Sequence, residues 1–351
     1  MRDVRDAHWV DQAERAILGI LEEQSAAPWI EIEARAADRA WTRLARPINV
    51  HHLTTARQNL SLGPDPLIVE TPGITRGGRD VSVLHLPVTP GRKRLVERTI
   101  ARKRLLYARH QGWATGSVRY PNGLIGPAGE AVLRASIREA ALLGRYAFVH
   151  PVGKDVSFLF GTKVPGGSLD DAGTLLSIMP GGLPGPNITF LTEIKNVREH
   201  QYPRSRLLYQ LLTKAARLQV AHPDLWFLPI FASRKRSQTL RNMGKDLGFY
   251  SLDFNRQYIL PVADLSQRAV DEVRIGLGME DLTVSQSADP ALVSVFAETV
   301  PFFALATAER WRARALVLLP LLEAMLKAPS AGSLARLRTA AGTFADASGG
   351  W

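Results

Sequence analysis

One short run of apolar residues, LWFLPIFAS at residues 225–233, constrains the fold of this chain more than any other segment. A run of this length without polar alternation is typical of a strand that is buried on both faces of a sheet. Amphipathic helical patterns lie on either side of it, with RSRLLYQLLTKAARLQ before it and SQTLRNMGKDLG after it. The segment therefore predicts a mixed α/β domain in which helices flank a sheet.

Further elements of the same domain are predicted on both sides of this run. The Pro/Gly-rich stretch RYPNGLIGPAGE indicates a domain boundary, and a helix is expected after it at residues 127–143. Strands are then expected near residues 146–151 and 157–160, within LDDAGTLLSIM and ITFLTEIKN, and near residues 250–253. These elements give the sheet several strands beyond the central one.

The N-terminal part of the chain predicts three helices followed by two strands. The helices are expected at residues 11–23, 30–44 and 49–60, and the strands at residues 67–70 and 81–86. This order is typical of a winged-helix-like domain, in which Arg57 on the third helix and Arg76 and Arg79 in the turn-rich wing meet DNA. A small accessory or dimerisation module explains the same order, and both interpretations remain open.

The densest positive patch follows this part, in GRKRLVERTIARKRLLYARH at residues 91–110. Apolar residues at Leu95, Ile100, Leu105 and Leu106 give it one apolar stripe, which predicts a basic amphipathic linker helix. Such a helix can bind phosphates without sequence preference, although a merely solvated helix face has the same composition. The candidate phosphate contacts are Arg92, Lys93, Arg94, Arg102, Lys103 and Arg104.

The overall charge points to a polyanionic partner. The 351 residues include 44 Lys and Arg against 33 Asp and Glu, a formal charge of +11, and nucleic acid is the first candidate for such a partner. The absence of cysteine excludes disulfides, thiolate metal sites and cysteine nucleophiles, so any metal must be bound by oxygen or histidine. The sequence has no continuous apolar run of membrane-spanning length, which predicts a soluble cytoplasmic protein that does not bind membranes.

A charged pair interrupts the otherwise apolar strand ITFLTEIKN. Glu193 and Lys195 are two residues apart, so both project from the same face of the strand. Placing a carboxylate and an ammonium on a buried strand carries a desolvation cost that folding alone does not require. The pair therefore predicts a functional site.

The chemistry that fits this pair is metal-assisted hydrolysis of a phosphodiester. Carboxylates together with the backbone carbonyl of Ile194 can bind a hard divalent cation, Mg²⁺ or Mn²⁺, and Lys195 can orient the attacking water or stabilise the transition state. A second carboxylate is expected from Asp170 or Asp171 at the start of the preceding strand. These two project to opposite faces; Asp170 is favoured because it follows the apolar Leu169, and Asp171 remains an alternative.

Taken together, these residues resemble the PD-(D/E)xK nuclease superfamily. Asp170 or Asp171 followed by Glu193-Ile194-Lys195 matches its motif, Gln210 in LLYQLLTKA matches a Gln of the helix after the motif, and Glu130 matches an acid of the first helix. The resemblance covers residues 127–259. The chain departs from the pattern at Leu169, where the family has proline, and in the insertion MPGGLPGPN, which lengthens the spacing as an extended hairpin loop would.

The resemblance implies a restriction-endonuclease-like fold and Mg²⁺- or Mn²⁺-dependent hydrolysis of DNA. It names Asp170, Asp171, Glu193, Lys195 and Gln210 as catalytic, and Glu130, Asp170, Asp171, Glu193 and Ile194 as metal ligands. A homodimer would supply the two sites needed to cut both strands. The alternatives are a DNA-binding regulator or structural protein that retains the fold without cutting, an enzyme acting on RNA, and a module that binds an acidic protein.

Four segments follow from these patterns. They are a winged-helix-like domain at residues 1–90, a basic linker helix at residues 91–126, a PD-(D/E)xK nuclease-like domain at residues 127–262, and a C-terminal helical region at residues 263–351.

Overall fold

The computed structural model of the chain describes residues 2–38, 47–75, 78, 80–150, 155–179 and 181–347. The chain forms two compact units, one made of residues 1–124 and 261–283 and the other of residues 125–260 and 284–351. The four segments expected from the sequence are distributed over these two units. The basic helix lies in the first unit, and most of the C-terminal helices lie in the second.

The elements follow one another along the chain as helices α1–α11 and strands β1–β12. The first part contains α1 (Arg2–Gln24), β1 (Ala27–Pro28), α2 (Trp29–Glu33), α3 (Val50–Ser61), β2 (Val69–Thr71), β3 (Val83–His85) and α4 (Lys93–Thr115). The middle part contains α5 (Ile125–Ala141), β4 (Tyr146–Val149), β5 (Phe158–Leu159), β6 (Thr162–Lys163), β7 (Asp171–Ile178), β8 (Pro184–Lys195), α6 (Arg206–Ala221), β9 (Trp226–Ser233), α7 (Gln238–Leu247), β10 (Tyr250–Asp253) and β11 (Gln257–Ile259). The last part contains α8 (Gln267–Gly276), β12 (Leu282–Val284), α9 (Pro290–Ser294), α10 (Val300–Lys327) and α11 (Ala331–Ala347).

The first unit packs α1 and α3 against a small antiparallel sheet. Its strand order is β1-β3-β2, and its core includes Ile17, Ile20, Leu53 and Leu84. The expected third helix and the pairing of the two following strands are confirmed. The helix expected at residues 30–44 starts as α2 and continues as a π-helical turn, Ala34–Asp38, while residues 39–46 lie outside the described residues.

The second unit is built on a mixed five-stranded sheet of order β10-β9-β8-β7-β4. Strands β8, β9 and β10 run parallel, whereas β7 is antiparallel to both β8 and β4. The run LWFLPIFAS forms β9, which is central and almost fully buried, as its composition predicts. The expectation of a mixed sheet flanked by helices is confirmed.

Side-chain alternation divides the core of the second unit between the two faces of the sheet. Phe190 and Ile194 of β8 pack with Val132 of α5 in one cluster, and Leu191 of β8 packs with Leu212 of α6 in the other. Residues of β8 with even numbers therefore face α5, and residues with odd numbers face α6. This rule decides where the charged residues at the end of β8 lie.

Within the described part of the chain, one helical segment, Pro290–Lys327, is long and apolar enough to cross a membrane by length and composition. The core helix of a soluble protein passes the same test. Here Trp311, Ala315, Leu322 and Met325 of α10 are completely buried in the core of the second unit. This packing accounts for the buried apolar residues of α10, whereas Phe302, Leu316 and Val317 of the same helix are exposed.

A close approach between α5 and the end of β8 brings the charged residues of the two elements together. The Asn196 side chain donates to the carbonyl oxygens of Ile125 (2.6 Å) and Tyr258 (2.8 Å) and accepts from the Tyr258 N–H (3.0 Å). Gly129 of α5 lies against it so closely that a Cβ at Gly129 would be 2.4 Å from Asn196 Cβ. Glycine at position 129 therefore permits the approach.

We expect Gly129→Ala to lower the free energy of unfolding by about 1–3 kcal/mol, because the added methyl group overpacks the contact with Asn196. Gly126→Ala on the same helix is the matched control, since its Cβ would meet nothing within 4 Å. We expect the control to raise the free energy of unfolding by up to about 1 kcal/mol, because alanine favours a helix more than glycine does. Urea denaturation of both variants measures the difference, and equal stabilities would contradict the packing described.

Candidate active site

Three carboxylates converge near the ends of α5 and β7. Glu130 on α5, Asp155 before β5 and Asp170 just before β7 each place one carboxylate oxygen within 4.8 Å of the other two. Glu130 and Asp170 are half-buried, and Asp155 is exposed. Of the predicted metal ligands, the structure thus brings together Glu130 and Asp170, and it adds Asp155.

Arg134 is the counter-charge of this acidic cluster. One turn after Glu130 on α5, its Nη2 lies 2.7 Å from Asp155 Oδ1 and 3.7 Å from Glu130 Oε2. Its Nε donates to the backbone carbonyl of Asp170 at 2.8 Å. The arginine therefore contacts all three residues of the cluster.

The surroundings of Asp170 shift its equilibrium toward the protonated form. Burial, and then the negative charge of Glu193, raise the pKa of Asp170 to about 7 against the opposing effects of Lys195 and of the Ile194 N–H. That N–H donates to Asp170 Oδ2 at 2.6 Å. The pKa of Glu130 is also raised, mainly by burial and then by Asp155 and Glu193, although Arg134 and Lys195 lower it. A cation at the cluster would favour the ionised forms.

Asp171 lies apart from the acidic cluster. The strand register pairs it with Thr192, on the face of the sheet that packs against α5. It is 2% exposed, and burial raises its pKa to about 6. Its carboxylate is not one of the three that converge, and its assignment as a metal ligand or catalytic residue stays a prediction, as does that of Asp170.

A local irregularity separates the two aspartates. The Asp170 N–H donates to the Thr192 carbonyl at 3.1 Å, although the ladder pairs Thr192 with Asp171. Two consecutive residues thus oppose one residue of β8, as in a β-bulge, and bulges redirect side chains beside functional sites.

Glu193 contacts two lysines. Lys214 Nζ on α6 lies 2.6 Å from Glu193 Oε1, and Lys195 Nζ lies 3.4 Å from Glu193 Oε2. Glu193 is 6% exposed, so its charge is compensated inside the protein rather than by solvent. The predicted proximity of Glu193 and Lys195 is confirmed, and the role of the Ile194 carbonyl as a ligand stays a prediction.

Gln210 lies on α6, the helix after the Glu-x-Lys strand, and its side chain is exposed there. Lys214, one turn later, is buried and reaches Glu193. The assignment of Gln210 as catalytic stays a prediction. Lys214 follows Gln210 by four residues, or about one helical turn. This spacing is the signal by which the sequence indicates Lys214.

The basic residues predicted to bind nucleic acid fall into distinct environments in the first unit. Exposed on α4 or just before it are Arg92, Lys93, Arg94 and Arg102. Arg57 is paired with Glu70 at 2.6 Å and lies over the ring of Trp29, and Arg104 donates to the carbonyls of Thr71 and Pro72. Arg76 and Arg79 lie outside the described residues.

Lys103 is a correction to the predicted phosphate contacts. It is 5% exposed, and its Nζ lies 2.6 Å from Glu31 Oε1 and 2.7 Å from the Gly276 carbonyl. The buried face of α4 carries Val96, Ile100 and Leu106 together with Lys103, whereas Leu95 and Leu105 of the predicted apolar stripe are exposed. Burial and the ion pair with Glu31 keep Lys103 from a phosphate.

The acidic cluster fits a hard divalent cation. Its donors are all carboxylate oxygens that lie within 4.8 Å of one another, and ligand oxygens around one Mg²⁺ are at most about 4.2 Å apart. Glu130, Asp155 and Asp170 are the residues that would bind it.

Comparisons with protein-family models, curated proteins and solved structures give no match for this chain.

We expect the cation-free protein to become less stable as the pH rises. The pKa of Asp170 is raised from 3.8 to about 7, so between these values the native state keeps a proton that the unfolded state releases, and the free energy of unfolding falls by up to about 4 kcal/mol. Asp170→Asn should show a smaller fall. Urea denaturation with a chelator at about pH 4 and about pH 8 measures this difference.

Asp171 also lowers the free energy of unfolding as the pH rises, in both the wild-type protein and Asp170→Asn, because its pKa is also raised. Adding Mn²⁺ at the higher pH should stabilise the wild-type protein more than Asp170→Asn, since binding to the native state alone stabilises it. An identical pH dependence in the two proteins would contradict the raised pKa of Asp170.

Proposed function

We propose that this chain is a metal-dependent DNA endonuclease of the PD-(D/E)xK type, with its active site in the second unit. The observation that carries the proposal is the convergence of Glu130, Asp155 and Asp170 beside the Glu193–Lys195 pair. The order of elements supports it, because an acid-bearing first helix, an aspartate at a strand start, the Glu-x-Lys strand and an apolar strand follow one another. This order supports the restriction-endonuclease-like fold that the resemblance implies.

In this mechanism the carboxylates bind the cation, and Lys195 acts on the phosphodiester. When bound, Mg²⁺ or Mn²⁺ would neutralise the charge that develops on the phosphate, and it would activate a water molecule. Lys195 has a partly exposed ammonium group next to the cluster, so it can donate to a phosphate oxygen or orient the water. Asp170 is fixed by the Ile194 N–H.

The first unit supports DNA as the substrate. The exposed cations of α4 form a row that can bind phosphates without sequence preference, and the helices followed by paired strands are consistent with a winged-helix-like domain. A homodimer would supply a second active site for the opposite strand. We also propose that the protein acts in the cytoplasm.

A second candidate is a DNA-binding protein that does not cut. The observation that favours it is the internal compensation of the acids, since Arg134 contacts Asp155 and Lys214 contacts Glu193. A site in which resident cations pair with the carboxylates needs no metal for charge balance. Cleavage assays separate this candidate from the first.

We expect the wild-type protein to nick or cut supercoiled plasmid DNA with Mg²⁺ or Mn²⁺ and to lose this activity with a chelator. Lys195→Ala and Asp170→Asn should each lower the rate by at least about a hundredfold, because each removes a group that acts on the transition state or the cation. Lys163→Ala, an exposed lysine on β6, is the control and should cut at the wild-type rate. Uncut plasmid, with salt-sensitive binding retained in every variant, would favour the non-cutting alternative.

We expect Arg94→Ala combined with Arg102→Ala to weaken DNA binding and to reduce the dependence of the binding constant on salt. Each lost phosphate contact lowers the slope of log K against log salt by about 1, so the pair should lower it by about 2. Arg336→Ala is the control, because Arg336 is an exposed arginine on α11 in the second unit. Fluorescence anisotropy with labelled duplex DNA over a salt series measures the slope, and an unchanged slope would exclude α4 from the DNA interface.

A further inference from the structure

Glu193 is shared unequally between two lysines. Lys214 Nζ lies 2.6 Å from Glu193 Oε1 and also donates to the Ser168 carbonyl at 2.5 Å. Lys195 Nζ is 3.4 Å from Glu193 Oε2, at the outer limit of a hydrogen bond. The lysine on the helix therefore has the stronger bond to the carboxylate, and the lysine on the strand has the weaker one.

The exposure of the two lysines differs in the same sense. The Lys214 side chain is 10% exposed and that of Lys195 is 20% exposed. Two ammonium groups and one carboxylate leave a charge of +1 on this trio. Lys214 is the more deeply buried and has the tighter bond to Glu193, so Lys195 is the lysine that this carboxylate holds less firmly; Lys195 also interacts electrostatically with Asp170 and Glu130.

We propose that Lys214 is a positioning residue, which keeps Lys195 available to the substrate by taking up the charge of Glu193. The proposal rests on the proposed function in that the substrate of Lys195 is a phosphodiester. Without Lys214, Glu193 and Lys195 would be a neutral pair, since a buried carboxylate turns to the nearest cation when its own partner is lost. Lys195 would then be bound to Glu193 instead of to a phosphate oxygen.

The first test measures how available Lys195 is, without metal or DNA. The folded protein is labelled briefly with an amine-directed reagent, and the modification of Lys195 is quantified by mass spectrometry against the exposed Lys163 and Lys245. We expect Lys214→Met to lower the labelling of Lys195 about threefold or more, the effect of one additional ion pair of modest strength. Lys214→Arg, which keeps the charge, should restore it.

Two further variants separate this role from a general structural one. Arg206→Met, which removes an exposed positive charge from the same helix, should leave Lys195 labelling unchanged. Lys214→Met combined with Glu193→Gln should return it to the wild-type level, because Glu193, the carboxylate within hydrogen-bond distance of Lys195, has been removed. This double variant has no unpaired buried charge, so it keeps the test decisive if Lys214→Met alone unfolds, which thermal denaturation will reveal.

Unchanged labelling of Lys195 in Lys214→Met, or reduced labelling that persists in the double variant, would overturn the proposal. Plasmid cleavage by the same proteins tests the catalytic consequence: we expect Lys214→Met to lower kcat with little change in KM, and Lys214→Arg to recover most of the rate. If the wild-type protein does not cut DNA while labelling changes as expected, the nuclease function fails and the role of Lys214 stands. If it cuts and labelling does not respond, the role of Lys214 fails alone.

Discussion

The buried amide of Asn196 joins three segments of the second unit directly after the last residue of β8. Its two N–H donors reach the carbonyls of Ile125 and Tyr258, and its oxygen accepts from the Tyr258 N–H. An amide suits this position because it both donates and accepts, which a carboxylate cannot do when ionised. The side chain fixes the strand end that carries Glu193 and Lys195 relative to the start of the helix that carries Glu130. The spacing within the candidate site thus depends on one residue that carries no charge.

The sequence predicts most of the second unit because its elements differ in composition. The interior strand β9 is apolar up to its last residue, Ser233, α6 has clear amphipathic spacing, and β7 and β8 are bounded by turn residues. The order of strands in the sheet is not predictable in the same way, because β4 pairs with β7 although the hairpin β5–β6 lies between them in the sequence. The distribution of the C-terminal helices between two units also depends on such distant contacts.

The sequence predicts the part of the candidate site whose residues share one strand. It does not predict the part that comes from segments distant in sequence. Alternation along β8 places Glu193 and Lys195 together. Asp155 reaches the acidic cluster from a segment that precedes the hairpin β5–β6, and no local pattern around it indicates this. On α4, the basic run conceals Lys103, which is three residues from both Ile100 and Leu106 and therefore lies on the buried face. Charge counting cannot distinguish such a residue from its exposed neighbours, whereas helical spacing can.

Arg134 gives the acidic cluster a resident counterion. Its guanidinium already bonds to Asp155 and approaches Glu130, so a divalent ion entering the cluster exchanges with a bound cation instead of filling an uncompensated negative site. The affinity of the cluster for such an ion would then be a difference between two attractions, weaker than three carboxylates alone would give. An ion that takes the place of the guanidinium would displace the Arg134 side chain, which would tie occupancy of the cluster to a movement on the surface of α5.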